Sequence, residues 1–204
     1  MEYANNEPRI IRDFKELEII IKVMRDSNKK IALTSGTFDI LHVGHCRYLK
    51  EARYFLKDPE NTILIVGVDS DKKVKKQKGP DRPIVPEDER MEMLSHIRYV
   101  DVVFLKQPEE EKWKLIKAVK PDVLIISSRT GYNQSEQKEL ETYCGQIAEL
   151  ESQAETSTTA KIRLIAIDSA QEMKKVFESF YSSMSEILFK FRHELENKMD
   201  GMKK

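Results

Sequence analysis

Nothing in this chain is built for a disulfide framework, a membrane span or a coat for nucleic acid. Cysteine is scarce: Cys46 and Cys144 stand far apart and in no metal-like spacing, which points to reduced thiols in a cytoplasmic protein. No uninterrupted apolar stretch approaches the roughly 20 residues that a membrane-spanning helix needs. The opening residues, MEYANNEPRI, lack the apolar core of a signal peptide, so a soluble intracellular protein with no membrane partner is expected. Neither sign of charge dominates, since Lys+Arg and Asp+Glu number 35 each and the net charge is 0. A generally basic surface is thereby disfavoured, no nucleic-acid partner is expected, and any basic site must be local. Internal repeats and low-complexity stretches are also missing.

What is present fits one domain with a real core, or one domain plus an appendage, in 204 residues with 40% hydrophobic and 34% charged content. Short runs rich in Val, Ile and Leu alternate with helical patterns. KIALTS (30–35), TILIVGV (62–68), VDVVFL (100–105) and DVLIIS (122–127) read as strands. Their near-continuous apolarity implies cover on both faces. Helices are predicted over 45–56, 86–98, 108–119 and 135–144, the last capped by Gly145, with another over 13–26 whose Phe14, Leu17, Ile21 and Met24 share a side. This alternation predicts an α/β fold, a Rossmann-like parallel sheet flanked by helices. A further long helix is predicted over 169–200. Met173, Phe177, Phe180, Met184, Ile187, Phe191 and Leu195 recur along it at spacings of mostly four and three. The stripe either docks on its own domain or zips against a second copy; a homodimer is the expectation carried forward.

One decapeptide carries chemistry. GTFDILHVGH occupies 36–45, directly after the first predicted strand. Gly36 ends the strand without a side chain in the way of a ligand. The next helix starts near Val43 or Gly44, so its unpaired N–H groups and positive dipole end face the same crevice, an anion site in itself. His42 and His45 are three apart, which puts both imidazoles on one side, and Gly44 between them keeps that face open. Such a pair suits holding polyphosphate oxygens and stabilising charge as a phosphate leaves. Half of a zinc site is another reading, but no third ligand stands at a suitable spacing. Ordinary surface histidines are the blandest; the strand–turn–helix setting favours the phosphate role.

GTFDILHVGH resembles the signature of the nucleotidyltransferase superfamily that includes cytidylyltransferases and small-molecule adenylyltransferases. Further stretches match in order: VGVDSD (66–71), KGPDRPIVPEDERMEMLSHIRYVD (78–101) and ETSTTAKI (155–162). The resemblance spans roughly residues 30 to 168. It implies a nucleotidyltransferase domain over 1–168 and a helical extension over 169–204.

The resemblance also implies the reaction: a nucleoside monophosphate passes from a nucleoside triphosphate to a phosphorylated small molecule, and pyrophosphate leaves. The acceptor is already an anion, so positioning and charge neutralisation are the enzyme's task. By the same resemblance, Gly36, Thr37 and Phe38 line the triphosphate with backbone groups, alongside Gly44. Asp39 orders the loop or helps bind acceptor or metal. His42 and His45 hold phosphates and stabilise the transition state. Lys78 reaches the α-phosphate or the acceptor phosphate, with Lys75 and Lys76 as alternatives. Arg82 binds the acceptor phosphate or pairs with nearby acids, Asp71 is a further acceptor candidate, and Arg90 is structural. Ser157, Thr158 and Thr159 either grip the β- and γ-phosphates at a second helix start or simply cap it. Mg²⁺ is expected to arrive with the triphosphate, with no all-protein metal cage.

KGPDRPIVPEDER resembles sugar-phosphate adenylyltransferases of the ADP-heptose type, whereas IRYVD (97–101) is equally at home among glycerol-phosphate and ethanolamine-phosphate cytidylyltransferases. After the fourth strand the chain reads ISSRTGYNQ where heptose-type enzymes carry K-G-G-D-Y, and SQAETSTT lacks the arginine and glycine usual in cytidylyltransferases. Arg129 either replaces a lost contact to ribose or base or faces solvent. A sugar-phosphate adenylyltransferase is the main expectation; a cytidylyltransferase and a non-catalytic nucleotide-binding relative are the alternatives.

Overall fold

A computed structural model describes residues 9–128, 132–151 and 158–201. In chain order the elements are β1 (Arg9–Ile11), α1 (Phe14–Asp26), β2 (Lys30–Gly36), α2 (Val43–Tyr54), β3 (Thr62–Asp69), α3 (Asp71–Lys78), α4 (Glu87–Ser95), β4 (Val102–Lys106), α5 (Lys114–Val119), β5 (Val123–Ser127), α6 (Gln134–Glu141), β6 (Ile147–Leu150) and α7 (Thr158–Gly201). The six strands form one parallel sheet in the order β1-β4-β3-β2-β5-β6. The fold is α/β and Rossmann-like. From β2 the chain winds outward through β3 and β4, then crosses back to lay β5 on β2's other side. The carboxyl end of β2 is therefore the point where the winding reverses, and in open α/β sheets ligands gather there.

Alternation along the strands explains their continuous apolarity. Leu33, Ile65, Phe104 and Leu124 face one layer with Leu17 and Ile21 of α1 and Ile116 of α5. Ala32, Leu64, Val66, Val103 and Ile125 face the other with Leu49 of α2 and Met91 and Leu94 of α4. Both faces are covered, so the middle of each central strand is apolar on both sides, and exposed polar side chains such as Lys30 and Glu149 fall at a strand's start or on the edge strand β6. α1 starts where Asp13 caps the Lys15 and Glu16 amides. Its Leu17, Ile20 and Ile21 are buried, with Phe14 and Met24 packed against them.

Several elements differ from expectation. β1 and β6 are three and four residues long, too short for periodicity to register. The basic stretch 72–78, for which no element is predicted, is helical, because Ser70 caps the Lys73 amide and Gly79, at φ 97°, closes the last turn. The helix expected over 108–119 begins only at Lys114, since Trp113 sits in the left-handed region at φ 65°. Gly145 does not cap α6, which ends at Glu141. Its lack of a side chain is needed instead because a Cβ there would lie 2.6 Å from the Asp122 carbonyl oxygen.

The chain divides into two units, Met1–Glu155 and Thr156–Lys204. In the second, α7 opens at Thr158 instead of 169, so the long helix extends about three turns further upstream than its apolar stripe suggested. No helix among the described residues is long and apolar enough to cross a membrane.

Candidate functional site

The turn after β2 is shaped by its own backbone. A Cβ on Gly36 would lie 3.1 Å from the Phe38 ring, so Gly36 lets that ring fold beneath the turn. Phe38 takes φ 51° and buries its side chain in the core, 6% exposed. Its contribution to any ligand site is therefore backbone. Tyr48 anchors α2 to the sheet, donating to the Ile125 carbonyl at 3.3 Å and sharing a 2.8 Å hydrogen bond with Thr34. Burial pushes its hydroxyl up to a pKa of about 12, so it stays a neutral anchor.

His42 is the N-cap of α2. Its Nδ1 accepts the Gly44 amide at 3.1 Å, while the His42 amide donates to His45 Nδ1 at 3.3 Å. The two rings lie 4.1 Å apart between centroids, and His45 meets the Phe38 ring edge-on at 5.5 Å. These bonds have a chemical consequence. With Nδ1 used as an acceptor on each ring, the neutral imidazole carries its proton on Nε2. Both rings thus present an N–H donor without needing a positive charge. Beside the positive dipole end of α2, they make a donor pair suited to phosphate oxygens.

Two loops converge on this turn. Lys78, at the end of α3, donates to Thr37 Oγ1 at 2.9 Å; it, rather than Lys75 or Lys76, is the lysine bound to the turn. Asp39 accepts the Ile84 and Val85 amides at 2.8 and 2.9 Å and Arg82 Nη1 at 2.8 Å. Burial by itself would raise the Asp39 pKa, but the Val85 amide, Arg82 and the Ile84 amide outweigh it and hold the carboxyl below its usual range. Asp39 and Arg82 therefore clamp the 79–85 loop to the turn. Beneath them lies Arg90 of α4, with a side chain 0% exposed. Its guanidinium donates to the Thr37, Asp69 and Val85 carbonyls and, at 2.7 Å, to Asp71. The planar fork bonds three loops at once, which an ammonium cannot do. Asp71 is thus an Arg90 partner at the start of α3.

A cavity of about 620 Å³ opens at the carboxyl ends of β2, β3, β4 and β5, within the usual size range of a small-molecule site. Gly36, Thr37 and Lys78 form the wall it shares with the turn; neither His42 nor His45 lines it. Asp69 and Lys106, the last residues of β3 and β4, and the rings of Trp113 and Tyr132 supply other walls. Sequence reading passed over all four. A charged residue closing an apolar strand is the signal that marks Asp69 and Lys106. Arg129 and Ser157 lie outside the described residues. Thr158 and Thr159 open α7, in the second unit. Within IRYVD, Asp101 accepts the Leu64 amide at 2.7 Å and pairs with Arg53, so its carboxylate braces the sheet rather than selecting an acceptor.

A profile of the family described as Cytidylyltransferase-like matches residues 33–185. The chain belongs to the cytidylyltransferase-like family. Its fold and first β–α turn are those of a nucleotidyltransferase. Among curated proteins, the bifunctional protein HldE of a Nitratiruptor species is 44% identical over 115 residues, which is 56% of this chain and 24% of that protein. HldE of Aliarcobacter butzleri is 41% identical over 123 residues, 60% of this chain and 25% of that protein. The chain thus aligns with about a quarter of each relative's length. A solved structure titled as the lipopolysaccharide core biosynthesis protein from Thermoplasma volcanium GSS1 superposes with a TM-score of 0.52 at 27% identity, covering 61% of this chain and 97% of that one.

Proposed function

We propose that this nucleotidyltransferase transfers AMP from ATP to a sugar phosphate. An oxygen of the acceptor phosphate attacks the α-phosphorus, the bond to the β-phosphate oxygen breaks, and pyrophosphate leaves with the electron pair. No general base is required, because the acceptor oxygen is already anionic. The positive dipole end of α2 and the Nε2–H donors of His42 and His45 hold phosphate oxygens and favour the charge that grows on them in the transition state. Lys78 adds a mobile positive charge beside Thr37. The observation that carries this reading is the backbone-capped histidine pair at the sheet's reversal point. The ADP-heptose-type motif and the HldE relatives support the sugar-phosphate acceptor. Arg129, Ser157, Thr158 and Thr159 remain the proposed nucleotide contacts from the later part of the chain.

Among the described residues no group of three or more His, Cys, Asp or Glu side chains is arranged to hold a metal ion, and Asp39 is engaged by Arg82 and two amides. We therefore assign Mg²⁺ to the triphosphate itself, where it would neutralise phosphate charge. The reaction is proposed to run in the cytoplasm.

The test is pyrophosphate release by the 204-residue chain with ATP and CTP against sugar 1-phosphates, glycerol 3-phosphate and phosphoethanolamine. Turnover with ATP and a sugar phosphate is expected. Turnover only with CTP and glycerol 3-phosphate or phosphoethanolamine would replace this reading by the cytidylyltransferase one. No release with any pair, despite nucleotide binding, would make the chain a non-catalytic relative. Binding reads out separately, since ATP at a hundred times its dissociation constant should stabilise by about 2.7 kcal/mol.

We further propose a homodimer through α7. Taking Phe177 as an a position, every a and d position from Ala166 to Phe191 is apolar. Phe177 and Phe180 on that seam are 63% and 58% exposed within one chain. An apolar seam repeating over several heptads is the pattern of a helix zipped to a like helix.

A further inference from the structure

We infer that Lys73 and Lys106, both held by Asp69, form a phosphate-binding site on the wall of the cavity. The inference rests on the nucleotidyl-transfer reading only for whose phosphate it is, the acceptor's or the triphosphate's.

Asp69 and Lys106 are register partners at the carboxyl ends of β3 and β4, and Lys73 lies in the first turn of α3. Both ammonium groups approach the same oxygen, Asp69 Oδ1, at 3.3 Å for Lys73 and 3.4 Å for Lys106. Neither makes a directed hydrogen bond to it. One carboxylate balances one ammonium, so the trio carries a surplus positive charge in a setting where Asp69 is 12% exposed and the lysines 19% and 20%. A structural ion pair needs only one of these lysines; the second adds a desolvation cost, which the Glu110 carboxylate on the cavity wall offsets only in part, since the Lys106 pKa still falls. Burial holds the Lys106 pKa below its ordinary value, with the Asp69 charge opposing and the Lys73 charge adding to the effect.

Gly67 shows that the backbone makes way for this arrangement. A Cβ there would lie 2.9 Å from Lys106 Cδ and 2.6 Å from both Leu115 and the Ser35 hydroxyl, so a side chain would displace the Lys106 stem. The surplus charge also fits the cavity, which is lined by five lysines against three carboxylates. A phosphate between the two ammonium groups would accept from both and offset the cost of their burial. The cavity also reaches Gly36, Thr37 and Lys78, so such a phosphate would sit in the compartment that borders the turn. Asp69 is then a positioning residue that holds two cations for a ligand.

The experiment compares Lys106→Met and Lys73→Met, each in the whole 204-residue chain, with the parent. Each keeps one lysine for Asp69, so each is expected to fold, and either suffices if the other does not. In the pyrophosphate-release assay the KM for one substrate should rise about tenfold or more, the loss expected for one charge-assisted hydrogen bond. A rise confined to the acceptor assigns the site to the acceptor phosphate, and a rise confined to the nucleotide assigns it to the triphosphate. Lys72→Met is the control: that lysine is 73% exposed, pairs with Glu109 and should change neither. Both KM values within about twofold of the parent in both variants would overturn the inference, even if Tm falls, because a structural cluster would lose stability alone. Should the parent release no pyrophosphate at all, the transfer reading falls first. The thermal shift given by inorganic phosphate then decides the site by its loss or retention in Lys106→Met.

Discussion

Thr37, Asp39 and Arg90 are each bound to residues from a different loop of the first unit, whereas the described side chains along 165–193 of α7 are exposed. The turn's bonds span 41 residues from Lys78 to Thr37 and 53 from Arg90 to the Thr37 carbonyl. Those of α7 are local, such as Lys174 to Glu178 and Ser185 to the Tyr181 carbonyl. Polar groups are thus buried and matched in one region, while apolar groups are displayed in the other. The first carries its stabilising partners within one chain. The second displays the apolar seam on which the proposed homodimer rests, since most helical stability in proteins comes from packing an apolar face rather than from propensity.

The comparison is tested hardest at Arg90. Arg90→Met leaves three carbonyls, that of Asp69 buried, and Asp71 without their donor and should cost about 3–5 kcal/mol in chemical denaturation, with turnover falling as the loops separate. Retained stability would mean that the turn does not depend on its long-range bonds. Next come the histidines. His42→Ala and His42→Asn should each lower turnover by roughly a hundred- to a thousandfold. Only the alanine variant should also lose about 1 kcal/mol of stability, because asparagine can still cap α2. Equal stability losses would show that the ring's capping bond is not what Ala removes.

The clamp on Asp39 gives a smaller effect with a defined sign. Its folded pKa lies below the ordinary 3.8, so it contributes stability above that value and loses it as pH falls through the lowered pKa. Asp39→Asn should therefore lose stability at pH 7 but show a flatter decline than the parent as pH falls below about 4. Parallel curves would place the clamp's strength elsewhere. The smallest effect on turnover is expected at α7: Phe180→Glu should convert the proposed dimer to monomer by sedimentation while pyrophosphate release stays within about twofold. A dimer that survives this charge would remove the seam from the argument.

Much of the first unit was written locally. The apolar runs of β2 to β5, the glycine and paired histidines of 36–45, and the Asp13 cap of α1 all act within a few residues, where propensity and spacing suffice. The order of motifs then identified the family without knowledge of any contact. Long-range choices were not written that way. Which of three neighbouring lysines reaches Thr37, why Arg90 is buried, and how Asp69 gathers Lys73 and Lys106 depend on sheet register, which brings distant strand ends side by side. The short edge strands β1 and β6 and the break at Trp113 likewise arise from pairing and packing that no local window contains.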